Sequence, residues 1–274
     1  MKENCLGLNM GSLQAVFEES PVEKLKALSQ IGYKGLEVTC PLPLPVNEYV
    51  NLSKDLDLAT ISLHAAPPKG GDDLKRYIDF VKSIDCDRIV LGCLHPVELR
   101  CADDYKRQAE IMNEYGEKIK AQGVRAFYHN HEWELRKFND TCGLEIMMEG
   151  TDPDCVHYEV DVCWMTVGGA DPAEFLRKYA NRCPLVHYKD ILIRDGYSPG
   201  YVKNGIIQDD GYSLIEGSYE LVEAGLGVVD LKKVWEAVDP RHVEWLISEQ
   251  DRSALPPMES ARVNYANYKG LGIF

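Results

Sequence analysis

Residues 125–134 read RAFYHNHEWE, an apolar run that ends in clustered imidazoles and carboxylates. Side chains alternate along a strand, so His129 and His131 are expected on one face and Asn130 on the other. Barrel enzymes present their chemistry at strand ends of this kind, at the mouth of the barrel. A histidine-rich strand end that only bonds to its neighbours has the same pattern, so a functional interpretation requires more strands with similar ends.

The whole chain alternates between short apolar runs and amphipathic helical segments. Strands are predicted at residues 5–9, 35–38, 58–64, 88–93, 126–128, 156–161, 185–190 and 243–249. A helical segment follows each strand, as at 21–32, where apolar residues recur at helical spacing. Such alternation implies parallel β-α-β units with right-handed crossovers. Eight of these units predict a single-domain (β/α)8 TIM barrel over residues 1–274.

An open doubly wound sheet is the alternative fold, because it also alternates strands and helices. That fold usually carries a G-x-G-x-x-G fingerprint in its first strand–helix turn. The sequence contains no such fingerprint, which favours the barrel.

The composition limits the partners and the location that we expect. The formal net charge is −14 and the pI is about 5.0, which argues against nucleic acid or an anionic membrane as a partner. Nine cysteines without a CxxC pair favour reduced thiols in a cytoplasmic protein. No apolar run approaches the roughly 20 residues of a membrane span, and the N-terminus lacks the apolar core of a signal peptide.

Residues 191–229 interrupt the strand–helix rhythm. This stretch is rich in Gly, Tyr and Asp and shows no clear helix. A long loop within a compact domain is usually functional, so we expect either a lid over a pocket or a contact in a homo-oligomer. Periodicity does not decide between the two.

Polar residues collect at the carboxyl ends of the predicted strands, whereas the amino-terminal halves are mostly apolar. They are Glu37, His64, His129, His131, Asp161, His187, Lys189, Asp190 and Glu249. Because the ends of barrel strands converge, we expect these side chains to meet at one site. Imidazoles and carboxylates without a thiolate suit a borderline divalent ion such as Mn²⁺, Co²⁺, Fe²⁺ or Zn²⁺.

Individual residues of this set have competing interpretations. Asp161 and Glu249 end hydrophobic strands, where a carboxylate without a partner is costly, so metal ligation is favoured for them. His187 is also favoured as a ligand. For His64, a substrate contact and a structural role both stay open. Glu159 lies one inward step below Asp161 and is either a support for the ligands or a base.

Two further histidines and two tryptophans are less informative. His95 and His242 are interpreted as structural, because one lies beside a loop proline and the other starts a strand at the opposite end of the barrel. Trp133 and Trp164 fit core packing and sugar stacking equally well.

Six motifs are distributed along the chain between residues 31 and 251. They are IGYKGLEV at 31–38, YHNHEWE at 128–134, EVDVCW with GGADP at 159–172, VHYKD at 186–190, AGLGVVDL at 224–231 and WLISEQD at 245–251. With these motifs the sequence resembles the sugar phosphate isomerase/epimerase family, the xylose-isomerase-like TIM barrels. Together the motifs are specific to this superfamily and much less specific to one reaction.

The resemblance implies one divalent metal ion at the ends of strands five to eight, most often Mn²⁺, with Co²⁺, Fe²⁺, Mg²⁺ or Zn²⁺ as alternatives. The matching positions are His129, Asp161, His187 and Glu249. Many family epimerases carry glutamate at the first of these positions, as both ligand and base. His129 therefore argues against a symmetrical two-glutamate mechanism. The imidazole-rich end of the fifth strand is similar to that of the branch that contains inosose dehydratases and enzymes acting on 3-keto sugars.

The chemistry that the resemblance implies is proton abstraction next to the carbonyl of a keto sugar or polyol-derived ketone, through a metal-stabilised enediolate. The candidate catalytic residues are Glu249, as base and ligand, and His131, Glu159 and Lys189, as the partner acid or base. The residues expected to contact the substrate are Glu37, His64, Asn130 and Trp164.

Isomerisation or epimerisation is the leading hypothesis for the reaction. A lyase is the second, either an inosose-type dehydratase or a subunit that cleaves 3-keto glycosides, and a non-catalytic sugar-binding barrel is the third. An apurinic-site endonuclease shares the fold, but the acidic net charge argues against it. No basic cluster marks a phosphate site, so we expect a non-phosphorylated sugar.

Overall fold

Eight parallel strands close into one barrel, so the predicted (β/α)8 fold is confirmed. The computed structural model describes residues 6–13, 19–92, 99–193 and 219–273. The barrel strands are Leu6–Asn9, Gly35–Val38, Ala59–Ala65, Arg88–Leu91, Arg125–His129, Val156–Asp161, Leu185–Tyr188 and Trp245–Ser248. Each of these strands pairs with the next one, and the first pairs with the eighth to close the barrel.

Helices connect the strands and surround the barrel. They are Pro21–Ile31, Val46–Asp55, Gly71–Ser83, Ala102–Lys120, Gly143–Gly150, Val162–Val167, Pro172–Tyr179, Leu231–Ala237 and Pro257–Gly270. The first of them begins at Pro21, as the sequence predicts, and a proline at the first helical position is a local signal. Asp171, for example, caps the helix that Pro172 begins and accepts a hydrogen bond from the backbone N–H of Ala173. No helix among the described residues is long and apolar enough to cross a membrane.

One short helix, Val162–Val167, directly follows the sixth strand. Trp164 lies in this helix, and the side chain of Asp161 caps it. Its Oδ1 accepts a hydrogen bond from the backbone N–H of Trp164 at 2.9 Å. The cap ties the end of the strand to the first turn of the helix, so Asp161 and Trp164 are held in a fixed relation.

A two-stranded antiparallel hairpin, Asp190–Ile193 with Tyr219–Val222, occupies the two ends of the predicted insertion. Residues 194–218 lie outside the described residues, and so does His95.

Asp190 anchors the chain that returns from this hairpin. Its Oδ2 accepts hydrogen bonds from the N–H groups of Gly225 and Gly227, both at 2.9 Å. Its Oδ1 accepts from the N–H of Val229 at 3.0 Å. A Cβ atom at Gly227 would lie 2.2 Å from Oδ1 of Asp190, so only glycine fits there. Asp190 thus has a structural role, although it ends the predicted seventh strand beside candidate site residues.

An apolar layer fills the middle of the barrel. Its members come from five of the strands and are fully buried: Ile61, Val90, Phe127, Leu185 and Ile247. The first and second strands contribute glycine instead, because a Cβ atom at Gly7 or Gly35 would lie within 2.1 or 2.7 Å of the Ile61 side chain. This layer separates the two ends of the barrel, and the polar residues of the candidate site lie above it.

An ion-pair cluster lies at the amino-terminal end of the barrel. Arg125 Nη1 donates to Oε1 of Glu244 at 2.6 Å, and Arg88 Nη2 donates to Oε2 at 2.6 Å. Burial opposes ionisation of Glu244, but the two guanidinium groups outweigh it and lower the pKa of its carboxyl group from 4.5 to about 2. The cluster joins strands four and five to the start of strand eight.

Because the pKa of Glu244 is lower in the folded state than in the unfolded chain, its stabilising contribution is present above about pH 4.5 and is lost as the pH falls towards about 2. We expect Glu244→Gln to lower the free energy of unfolding at pH 7 by about 1 kcal/mol, a value discounted for partial solvent screening. The variant should also lose less stability than the wild type between these pH values. Urea unfolding at several pH values measures both effects. Equal acid sensitivity in the two proteins would contradict the prediction, and Glu110→Gln, on an exposed helix face, is the control.

Candidate active site

A cavity of about 540 Å³ lies at the carboxyl end of the barrel. Its polar and aromatic lining residues include His64, His129, His131, Glu132, Trp133, Trp164, Lys189, Tyr219, Glu249 and Asp251. Six of the residues predicted from the sequence are thus on the cavity wall. Glu37, Asn130, Glu159, Asp161 and His187 are not among the lining residues and lie deeper.

Glu37 does not line the cavity and is fully buried. Its Oε2 accepts a hydrogen bond from Ser62 at 2.6 Å, and its Oε1 accepts from Asn9 at 2.7 Å. Burial opposes its ionisation, but His187 and His64 outweigh burial and lower the pKa of Glu37 well below its usual value. An ionised carboxylate only accepts, so Nε2 of His187 donates to Oε1 at 2.8 Å. Glu37 therefore orients His187 and is not in position to contact a ligand in the cavity.

Glu159 is a second buried carboxylate beside the same imidazoles. Its Oε2 lies 3.0 Å from Nδ1 of His129 and 3.1 Å from Nε2 of His187. Burial and the charge of Glu37 oppose its ionisation, but the two histidines outweigh them and lower the pKa of Glu159. His129 therefore donates through Nδ1. Of the two roles left open for Glu159, this geometry favours support of the imidazoles.

Four side chains offer ligand atoms that all lie within 4.8 Å of one another: His129, Asp161, His187 and Glu249. An overlapping group with the same spacing contains His64, His129, Glu159 and His187. Both are fully or partly buried. The two groups share His129 and His187. The ring nitrogen of each imidazole that can face an ion therefore decides between the two groups.

The hydrogen bonds favour the first group. A histidine that binds a metal usually donates its other ring N–H to a carboxylate or carbonyl. Donation from Nδ1 of His129 to Glu159 leaves Nε2 available. Nε2 of His187 donates to Glu37, so Nδ1 points to Oε2 of Glu249, 3.2 Å away, and would lose its proton when an ion binds between them. The residues present therefore fit a divalent ion.

Asp161 supports the same group. Its Oδ2 is buried and has no hydrogen-bond partner among the described residues. The nearest cation is Nζ of Lys189, at 3.6 Å. Asn130 holds the backbone beside it: Oδ1 of Asn130 accepts from the N–H of Asp161 at 3.1 Å. Asn130 thus positions a candidate ligand and does not reach the cavity wall.

Lys189 lies at the base of the cavity wall and is 2% exposed. Its Nζ lies 2.7 Å from Oε2 of Glu249, 2.5 Å from Oδ2 of Asp251 and 4.8 Å from the centre of the Trp164 ring. Burial opposes its charge, but Glu249, Asp251 and Asp161 outweigh burial and raise the pKa of Lys189 well above its usual value. Lys189 is therefore an ammonium group that donates protons or hydrogen bonds and does not act as a base.

An aromatic stack forms another part of the wall. The ring of His131 is parallel to Trp133, with centroids 4.5 Å apart, and to Trp164, with centroids 5.8 Å apart. The backbone N–H of His131 donates to Oε2 of Glu134 at 2.8 Å. Burial and the charge of Lys189 lower the pKa of His131 to about 3, so its imidazole is neutral at pH 7. Both tryptophans line the cavity, as sugar-stacking residues must.

Two acids on the cavity wall are absent from the set of site residues predicted from the sequence. Glu132 and Asp251 both lie just beyond a strand end, where the alternation of side chains no longer predicts direction. Their only signal is that they fall within the motifs YHNHEWE and WLISEQD. Burial raises the pKa of Glu132 to about 7, although its own backbone N–H and Lys189 lower it.

A family model described as xylose isomerase-like TIM barrel matches residues 25–266. The chain belongs to this family. The inosose dehydratase of Lacticaseibacillus casei is 26% identical over 164 residues, which cover 58% of this chain and 52% of that protein. The chain thus spans about half the length of the curated relatives that it first matches.

Solved structures share the fold over nearly the whole chain. A sugar phosphate isomerase/epimerase from Parabacteroides distasonis has a TM-score of 0.74 at 21% identity, covering 97% of this chain and 94% of its own. The IolI protein, solved with a bound zinc atom, has a TM-score of 0.72 at 14% identity, covering 97% of each chain. At these identities the likeness concerns the fold alone.

We expect Asp161→Asn to weaken Mn²⁺ binding by at least about 10- to 100-fold, because it removes a ligand charge from the first group. His64→Ala removes a member of the second group only and should change the affinity by less than about threefold. Isothermal titration of metal-free protein measures both affinities, and circular dichroism verifies that each variant is folded. An equal loss in both variants would contradict the assignment of the first group.

Proposed function

We propose that this chain is a metal-dependent enzyme that removes a proton from the carbon next to the carbonyl of a keto sugar or polyol-derived ketone. One observation carries the proposal. Of the two carboxylates in the favoured ligand group, Glu249 alone also lines the cavity. A carboxylate in this position can reach a substrate that lies against the ligand group.

The ion would be held by His129, Asp161, His187 and Glu249, with Mn²⁺ as the first choice and Co²⁺, Fe²⁺, Mg²⁺ or Zn²⁺ as alternatives. When bound, a divalent ion acts as a Lewis acid that makes a proton next to a carbonyl easier to remove. Once Nδ1 of His187 loses its proton to solvent on binding, the four side chains bring two negative charges and two neutral imidazole nitrogens, a donor set that suits such an ion.

Glu249 is the proposed general base. Burial opposes its charge, but Lys189 and His187 outweigh burial and hold the pKa of Glu249 well below its usual value, so the group is ionised at neutral pH. The same two residues fix its orientation, at 2.7 Å from Nζ of Lys189 and 3.2 Å from Nδ1 of His187. A preset orientation lowers the barrier because little reorganisation is needed at the moment of proton transfer.

The aromatic wall is proposed to bind the sugar ring. Indole faces pack against the C–H groups of a sugar, and Nε1 of Trp164 is a buried donor without a hydrogen-bond partner among the described residues. A substrate hydroxyl would provide the missing acceptor. Among the described residues that line the cavity, Lys189 is the only Lys or Arg, and Glu249 and Asp251 already neutralise it, which supports a non-phosphorylated substrate.

Isomerisation or epimerisation is the first outcome that we propose, in keeping with the solved isomerase/epimerase fold. Elimination by a lyase is the second, and the curated inosose dehydratases favour it. Both begin with the same proton abstraction. A cytoplasmic location is part of the proposal and is supported by the nine cysteines without a CxxC pair.

The wild-type protein loaded with Mn²⁺ should exchange a carbon-bound proton of inosose or 3-ketoglucose for deuterium in heavy water. Glu249→Gln should slow this exchange by about 10²- to 10⁴-fold, the usual contribution of a positioned base. Proton NMR follows the exchange, and mass spectrometry separates isomerisation from loss of water. The exposed Glu114→Gln is the matched control.

Binding of these sugars by the wild type without exchange of any proton would contradict an enzymatic role and would support a sugar-binding barrel.

A further inference from the structure

Three acids of the described part of the chain line the cavity, and two of them contact other charged side chains. Glu249 contacts Lys189 and His187, and Asp251 contacts Lys189. Glu132 is different: within the described residues, no other residue donates a hydrogen bond to its carboxyl group. A half-buried acid without a protein partner on a cavity wall is available to a ligand.

We infer that Glu132 is the proton donor to a leaving oxygen atom. With this donor, the second of the two proposed outcomes, β-elimination from a keto sugar or keto glycoside, becomes the reaction of this site. The inference rests on the proposed function, since it requires Glu249 to remove the first proton. It goes further by assigning the outcome of the reaction and the residue that determines it.

The positions of the two acids fit this division of work. Glu132 follows the fifth strand, whereas Glu249 follows the eighth, so the two carboxyl groups reach the cavity from separate parts of the rim. Elimination needs a base at the carbon next to the carbonyl and an acid at the substituent one carbon further on. Two independent groups that follow separate strands, Glu249 and Glu132, meet that need. Lys189 is less suited to be the acid, because its ammonium group is held by Glu249 and Asp251.

The protonation state of Glu132 agrees with this role. Burial raises the pKa of Glu132 to about 7, and the negative charge of Asp161 acts in the same direction, while Lys189 opposes both. A group with a pKa near the working pH is protonated in a large fraction of molecules and still transfers its proton readily.

The proposed step is balanced. Glu249 first takes the proton next to the carbonyl, and the electrons of that C–H bond move towards the carbonyl oxygen to give an enolate. In the second step the enolate electrons form the carbon–carbon double bond and the carbonyl is restored, as the C–O bond to the leaving group breaks. The proton of Glu132 goes to the leaving oxygen, which departs as water or as an alcohol. The products are an unsaturated ketone and that water or alcohol, and no oxidant or reductant is needed. Proton exchange with solvent then removes the proton from Glu249 and returns one to Glu132.

The test compares wild type and Glu132→Gln on three probes: inosose, methyl 3-keto-β-glucoside and 4-nitrophenyl 3-keto-β-glucoside. Water and methanol must be protonated as they leave, whereas 4-nitrophenolate is stable as an anion. Glu132→Gln should therefore slow the loss of water and methanol by about 10²- to 10³-fold and that of 4-nitrophenolate by less than about tenfold.

Deuterium exchange at the carbon next to the carbonyl should fall by less than about threefold in the same variant, because that step precedes proton donation. Glu114→Gln, on the outer helix, should match the wild type in every assay. Circular dichroism verifies that Glu132→Gln is folded.

Three results would overturn the inference. Equal losses for methanol and 4-nitrophenolate would show that Glu132 binds the substrate and does not protonate the leaving group. Exchange by the wild type without elimination from any probe would leave the proposed function standing and remove this inference. No exchange by the wild type would remove the proposed function, and the inference with it.

Discussion

Two ionised carboxylates buried at the top of the barrel, Glu37 and Glu159, hold the candidate site together. Each is 0% exposed, and leaving such a charge without partners would cost several kcal/mol. Imidazoles from three different strands, His64, His129 and His187, provide the compensation. Because the carboxylates can only accept, they fix which ring nitrogens donate and which face the candidate ligand group. The arrangement of the whole upper barrel depends on this charge balance.

The apolar layer beneath these groups makes the balance possible. Ile61 and Phe127, with their partners from other strands, are fully buried, and glycines at positions 7 and 35 let Ile61 fill the centre. The layer is closely packed below the carboxylates, and ion pairs are stronger in such a medium than in water. At the other end of the barrel, Glu244 joins three strands through two arginines.

The partners of each acid separate their roles. Glu37 and Glu159 are fully buried and orient imidazoles. Glu249 and Asp251, at the cavity, hold Lys189 as an ammonium group, and Glu132 stays available to a ligand. The fold is common to many proteins of the xylose isomerase-like family, so the reaction is decided by such differences at the rim and not by the barrel itself.

The sequence by itself determined the barrel and the convergence of its polar strand ends. The spacing of apolar residues and the helix caps that indicate them are local properties of the chain. His129, Asp161, His187 and Glu249 could be grouped this way, and the structure brings their ligand atoms within 4.8 Å. Only the tertiary structure decided which of the polar side chains line the cavity and which are buried away from it.

Glu37 contacts His187, 150 residues away, and not the cavity, because strand tilt and register set the height of each side chain. Glu132 and Asp251 lie past the strand ends, where alternation stops and only the path of the chain in space fixes direction.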